Sequence, residues 1–329
     1  GMELGLFKNR LSLSMDLYQK NSKDLIDYVR TSGIGGEYIK LANNATMITK
    51  GIEVAIDTKN IKTDEFSWNT GINFSYFNQE ITKLAFKPNV YNLVRELGGN
   101  VVGGQRNTLY SYDFKGLSEA GLPLFNLLDG STKYEDIDFQ TTKDILSYLK
   151  KEGAVEPNIT GGFSNTFRYK NWELSALITA QAGNKLRKPD QYDVDYNDLS
   201  VFPKEFKNRW VNAGDERITN IPSIPSRRTI NEIGRSTLRR VYNAYNHSTE
   251  RVVDGSFVRM KNISLSYSFP KEVLDQLHIN SLSLRMQATN PFLIYADKDL
   301  NGQDPEFFRS GGVAYPVTAQ YTFTISLGI

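Results

Sequence analysis

Along residues 321–329, Tyr321, Phe323, Ile325, Leu327 and Ile329 alternate with Thr322, Thr324, Ser326 and Gly328. A repeat of two places the apolar side chains on one face of a strand and the polar ones on the other. The same alternation sets Leu11, Leu13, Met15 and Leu17 against Ser12, Ser14, Asp16 and Tyr18, and Ile52, Val54 and Ile56 against Glu53, Ala55 and Asp57. It returns in Trp172, Leu174, Ala176 and Ile178 against Glu173, Ser175, Leu177 and Thr179, and in Leu282, Leu284, Met286 and Ala288 against Ser283, Arg285, Gln287 and Thr289. The pattern predicts about nine strands, over residues 2–7, 10–19, 50–59, 66–77, 159–169, 172–181, 257–269, 282–289 and 321–329.

The connections add a second pattern. Residues 8–9, 60–64, 170–171 and 270–280 make short links, and 20–47, 79–157, 182–254 and 291–314 make long ones, in strict alternation. Gly33, Gly35 and Gly36 mark the first long link as a loop. A short helix is expected over 142–151, with Ile145, Leu146 and Leu149 on one side, and Phe202, Phe206 and Trp210 fall at helical spacing behind Pro203. Outer-membrane barrels join their strands by short periplasmic turns and long extracellular loops. The expectation is therefore an all-β fold: part of an antiparallel up-and-down transmembrane β-barrel, with both chain ends on the periplasmic side. In that register Leu11, Leu13, Met15, Leu17 and Ile52 face lipid, while Asp16 and Glu53 face the lumen.

Each apolar face of four or five large side chains is worth about 6 to 15 kcal/mol when removed from water, at about 1.5 to 3 kcal/mol apiece. Lipid can supply the apolar surroundings, and so can a second sheet. A soluble β-sandwich acting as a carbohydrate-binding module is the competing architecture.

Composition narrows the chemistry. No stretch reaches the roughly 18 apolar residues of a membrane helix, a test that barrel strands do not have to meet. The 39 basic and 37 acidic residues give a net charge of +2, too little for a global field that would favour nucleic acid. With no cysteine and two histidines, thiolate chemistry is excluded and histidine triads have almost no material. No phosphate-binding glycine loop, zinc helix or nucleophile elbow is present, and the carboxylates Asp193 with Asp195, and Glu135 with Asp136 and Asp138, are neighbours only in sequence. An enzyme is not expected, nor a cofactor, with calcium the one ion to test.

That ion has a candidate site. Asp297, Asp299, Asn301, Gly302 and Asp304 follow the spacing of a calcium loop, although its twelfth position is Phe308 in place of a bidentate acid. Tyr192, Tyr196, Trp210, Tyr242 and Tyr245 lie in a long link, where aromatic faces can stack on sugar rings or pack the loops together. Arg227, Arg228, Arg235, Arg239, Arg240 and Arg251 offer either an anion site or a solvated basic surface.

The segments GGFSNTFRYKNWELSALITAQAGNK (161–185), VVDGSFVRMKNISLSYSFPKE (252–272), ATNPFLIYADKDLNGQDPEF (288–307) and AYPVTAQYTFTISLGI (314–329) resemble the SusC/RagA family of TonB-linked outer-membrane receptors. ITKGIEVAI (48–56), FSWNTGINFSYFNQEITKL (66–84) and KNRWVNAGDERITNIP (207–222) are similar to elements of the same barrel. The resemblance implies that residues 1–329 are the C-terminal barrel part of such a receptor, without its plug and N-terminal domains. It further implies nutrient import across the outer membrane of a Bacteroidetes-type bacterium. The implied partners are a SusD-like surface lipoprotein, the TonB complex through the missing N-terminal part, outer-membrane lipid, and an oligosaccharide or peptide substrate.

Overall fold

Nine strands of the computed structural model form one antiparallel sheet in which spatial order equals chain order. They are β1 (Met2–Leu6), β2 (Leu11–Arg30), β3 (Ile39–Lys62), β4 (Phe66–Leu84), β8 (Ile159–Tyr169), β9 (Trp172–Ala182), β12 (Phe257–Ser268), β13 (Ser281–Ala296) and β14 (Gln320–Gly328). The structure describes residues 1–30, 33, 34, 36, 39–196, 199, 201–306, 316 and 318–329. Every neighbouring pair is antiparallel, which is an up-and-down meander, and among the described residues β1 and β14 are its two edges. All nine strands expected from the sequence are present. No helix among the described residues is long and apolar enough to cross a membrane.

Cross-strand register carries the two faces across the sheet. Met15, Val54, Phe74, Gly161 and Ala180 lie in one row, and Asp16, Glu53, Ser75, Thr160 and Gln181 in the next row, on the opposite face. Farther along, the row Leu174, Leu265, Met286 and Phe323 adjoins the row Glu173, Ser266, Arg285 and Thr324. Asp16 and Glu53 thus sit opposite the apolar side chains, as expected. No second sheet packs on the apolar face among the described residues, and Leu17, Met286, Phe323 and Ile325 are exposed there. The sandwich alternative has no counterpart in the structure, and the sheet is a section of barrel wall.

Aromatic side chains mark one end of that wall. Near the short turns Trp68 stacks on Phe167 at 5.6 Å, Trp172 meets Tyr267 at 4.7 Å, and Tyr267 meets Phe269 at 5.1 Å. From Phe66 beside this belt to Tyr76, partway along β4, where the apolar alternation ends, is about 33 Å along the strand. At a barrel tilt of 35–45° that becomes roughly 25 Å of height, which matches the apolar band of membrane barrels. Within the band the outward polar side chains bond one another: Thr70 Oγ1 and Trp68 Nε1 both donate to Asn165 Oδ1, at 2.7 and 2.9 Å, and Asn60 Nδ2 donates to Thr70 Oγ1 at 2.7 Å. An apolar medium demands such mutual satisfaction. Below the belt, Arg10 donates to the carbonyls of Lys59 at 3.2 Å and Asn60 at 2.9 Å, clamping the first two short turns together.

Two expectations about the connections fail. Residues 20–47 are mostly strand, because β2 has 20 residues and β3 has 24. Beyond the apolar band both faces of a hairpin are wet, so the ladder continues where the hydrophobic alternation that signals it has stopped; Gly35 lies outside the described residues. The helix expected over 142–151 is absent. Asp144 adopts φ 50°, Ile145–Ser147 form one 3-10 turn, and Leu149–Ala154 form a strand, β7. Ile145 and Leu149 are still buried in one cluster, so tertiary pairing overrides the local periodicity.

The long connections 85–158 and 183–256 fold together as a cap. It contains α1 (Val90–Val94), β5 (Thr108–Leu117), β6 (Pro123–Asn126) and β7 (Leu149–Ala154) in a sheet ordered β6-β5-β7, the short pair β10 (Lys185–Arg187) and β11 (Val252–Asp254), α2 (Arg227–Ile233) and α3 (Arg235–Asn246). A last helix, α4 (Lys271–Leu277), lies in a short connection of the wall. The cap has its own core, in which Val90, Leu93, Tyr112, Phe125, Ile137, Leu238, Val241 and Tyr242 are buried. Phe202–Trp210, expected to be helical, contains a 3-10 segment at Lys204–Asn208.

The cap is seated on the wall through backbone bonds, Ile81 N to Gly104 O at 2.9 Å and Gly103 N to Ile81 O at 2.8 Å. Met47 and Ile81 are buried on the same sheet face as Glu53 and Ser75. Above Tyr76, therefore, the sheet's polar face becomes the packed one.

Candidate functional site

The segment following β10 is tied to the last turn of α3: Tyr192 N donates to Asn246 Oδ1 at 3.2 Å, and Asn246 Nδ2 donates to Tyr192 O at 2.8 Å. This pairing frames a cavity of about 590 Å3 lined by Asp190, Gln191, Asp193, Tyr196, Phe202 and Asn243. Asp195, also at its edge, is engaged by Arg235 and Arg239, which hold its carboxyl below the usual range. The Gln191 and Asn243 side-chain amides make no hydrogen bond among the described residues, and the Tyr196 hydroxyl is buried beside the Asp193 backbone without a well-aligned partner. One wall is aromatic: Phe202 stacks on Phe206 at 4.3 Å, and Tyr196 lies 5.4 Å from Phe202. Amides without partners, together with carboxylates, beside aromatic rings can bind a polyhydroxylated ligand.

The five aromatic residues singled out in the sequence divide. Tyr192, Tyr242 and Tyr245 are buried in the cap core, which corrects the expectation that their rings are open to a sugar. Leu238, Val241, Tyr242 and Tyr245 fall on one side of α3, so the helix turns these rings inward. Their hydroxyls reach Glu205, the Ser223 carbonyl and the Asn220 carbonyl respectively, and burial pushes all three well above the ordinary phenol range. Tyr196 keeps an edge in the cavity. Trp210 is half-buried away from it, donates from Nε1 to Glu216 at 3.1 Å, and packs on Gly121, where a β-carbon would collide with the indole.

Three of the four candidate calcium ligands are engaged elsewhere. Asp297 accepts from Asp299 N at 3.0 Å and Asp254 N at 2.9 Å, Asn301 donates to Glu205 at 3.2 Å, and Asp304 pairs with buried Arg259; Asp299 is exposed. No group of three acidic or histidine side chains suited to a metal exists among the described residues, and Phe308 lies outside them. Of the arginines, Arg227, Arg228, Arg235, Arg239 and Arg240 are exposed on α2 and α3, whereas Arg251 is buried.

Arg251 belongs to a feature that sequence reasoning missed. Arg187, Arg251 and Arg259 are almost fully buried where the cap and the last long connection meet the wall. Arg251 and Lys188 pair with Glu205, which also accepts from Tyr192 and Asn301. Burial pushes the Glu205 carboxyl up, but Arg251 and Lys188 outweigh it and hold the group below its ordinary value. Arg187 touches no carboxylate among the described residues and donates to Tyr110 O at 2.8 Å, Ser111 Oγ at 3.0 Å and Ser248 O at 3.1 Å. Burial lowers it to about 10, so it stays charged at neutral pH. Only an isolated arginine beside a short strand signals such a latch in sequence, and that signal is common.

No protein-family model matches the chain. TonB-dependent receptor P39 of Formosa agariphila is 28% identical over 96% of this chain and 33% of its own length. TonB-dependent receptor SusC of Bacteroides thetaiotaomicron is 26% identical over 100% of this chain and 31% of its own. The chain is a relative of TonB-dependent receptors. It spans about a third of the length of those relatives. The structure of the RagAB peptide transporter superposes with a TM-score of 0.73 at 24% identity, covering 98% of this chain and 34% of that one, and thereby shares the barrel fold. The resemblance to SusC/RagA-type TonB-dependent receptors therefore stands.

Proposed function

We propose that residues 1–329 form the C-terminal part of the wall and rim of an outer-membrane, TonB-dependent nutrient receptor. The observation that carries this reading is the two-faced sheet: an apolar band about 25 Å high with an aromatic belt on one side, a polar face on the other, and a packed cap at the long-connection end. The apolar face meets lipid, the polar face lines the passage, and the cap meets the substrate outside the cell. A SusD-like lipoprotein closes over the cap, and TonB supplies energy through parts of the longer protein. No bond is made or broken. The amide and carboxylate lining at Gln191, Asn243, Asp190 and Asp193, beside Tyr196 and Phe202, supports an oligosaccharide as cargo. Similarity to a peptide transporter supports a peptide as the second reading.

Uptake of fluorescent oligosaccharides and peptides by cells carrying the whole receptor, with and without its gene and with and without TonB, tests both levels. Uptake of one cargo class that needs both components is expected. Undiminished uptake of both classes in the deletion strain would remove the import reading, and peptide-only uptake would remove the glycan reading.

A further inference from the structure

Behind the cavity at Tyr196 and Phe202 lies a buried imidazole with one committed nitrogen. His247, the residue that ends α3, is enclosed in the cap, with Phe139 packed edge-on at 5.9 Å and Tyr112 N bonded to its carbonyl at 3.0 Å. Its Nδ1 lies 2.8 Å from the Asn243 carbonyl, which can only accept, so Nδ1 carries the proton of the neutral ring. Nε2 therefore turns a lone pair toward Asp190 Oδ2, 3.7 Å away. Two acceptors face each other with no proton between them. Both contacts lead to the cavity, because Asn243 and Asp190 line it. Asp190 is exposed at its rim, so the carboxylate has room to move.

We propose that His247 is a positioning residue whose protonation draws the Asp190 carboxylate out of the cavity. A proton on Nε2 gives the ring a second N–H, and closing the gap from 3.7 Å to a charge-assisted bond of about 2.8 Å turns the carboxylate toward the ring. That acceptor is then no longer offered to a hydroxyl or amide of the cargo. The charged groups around His247 are Asp190 and Arg187, from the segment at β10, and Glu96, from the connection after α1. Burial and Arg187 oppose the proton, whereas Asp190, the Asn243 carbonyl and Glu96 favour it. Burial is the largest influence, so the change falls below the ordinary 6.5. The effect on cargo rests on the cargo reading of this cavity; the movement itself does not.

The test labels carboxylates of the whole receptor in detergent with a water-soluble carbodiimide and glycine ethyl ester, from pH 7.5 to 5.0, with mass spectrometry after proteolysis as the readout. Asp190 labelling, normalised to exposed Asp299, should fall by about half or more in acid, and the fall should vanish in His247→Gln. A general loosening of the cap has the opposite sign, because opening exposes carboxylates. Asp190→Asn, a surface change, covers the case in which His247→Gln does not fold: by NMR of isotope-labelled histidine, the His247 midpoint should move to lower pH. No fall, a rise, a fall that persists in His247→Gln, or an unmoved midpoint in Asp190→Asn would each overturn the inference. In cells lacking TonB, retention of the fluorescent oligosaccharides and peptides used for uptake should drop by about tenfold over the same range, the size of one hydrogen bond to a charged group. Asp190→Asn should abolish that difference. Equal retention across the range would overturn the link to cargo, whereas no retention at any pH would overturn the cargo reading and leave the labelling to decide the movement.

Discussion

The wall and the cap solve the problem of apolar surface in opposite ways. In the wall, Phe74, Leu174 and Phe323 point out of the sheet with no protein cover, and stability requires an apolar medium around it. In the cap, Tyr112, Phe125, Leu238 and Tyr242 are enclosed by other side chains, as in a water-soluble domain. The change from one scheme to the other occurs between Tyr76 and Ile81 on β4. A single continuous strand therefore serves two solvents.

The largest expected effect lies in the cap's attachment. Glu205→Ala leaves Arg251 buried without its carboxylate, a loss of about 3–5 kcal/mol by analogy with broken buried pairs. Amide exchange should rise in residues 183–256 and stay unchanged in β8, β9 and β12; unchanged exchange in the cap would show that Glu205 is no hub. Next comes the wall: Ile72→Arg, near the middle of the apolar band, should cost about 2–4 kcal/mol and block assembly. Asn73→Arg, one residue along on the polar face, should assemble normally. Heat-modifiable migration on gels reads both, and equal damage from the two would break the assignment of faces.

Acid provides a smaller effect. Burial holds His247 below the ordinary 6.5, reinforced by Arg187 and opposed by Asp190, whose carboxylate lies 3.7 Å away. Because the burial cost outweighs that contact, the unfolded cap takes up a proton before the folded one does. Cap stability should then be full above pH 6.5 and decline as pH falls from there toward the folded value, by at most about 1.4 kcal/mol per unit. Trp210 fluorescence between pH 7.5 and 5.5 would show this, and His247→Gln should flatten the profile. The smallest expected change is at the short turns, where Arg10→Ala removes two surface hydrogen bonds worth about 1 kcal/mol each at most. Its melting should shift slightly and the cap should not respond.

The wall was legible because membrane and lumen impose a repeat of two that survives in single strands such as 11–17 and 321–329. The same reasoning lost β2 and β3 where they leave the apolar band, since water on both faces erases the repeat without ending the ladder. The cap was largely illegible. Its elements are short, and its core is assembled from residues as distant as Val90 and Tyr245. One signal was present and read differently: Leu238, Val241, Tyr242 and Tyr245 have the spacing of a buried helix face, which explains why tyrosines that looked available for sugars are structural.

Produced as a separate piece, residues 1–329 would carry two bare sheet margins. In that piece β1 and β14 each present a run of backbone donors and acceptors with no neighbouring strand among the described residues. Such margins behave like adhesive tape, and removing detergent should drive strand addition between copies into ribbons whose growth each new copy extends.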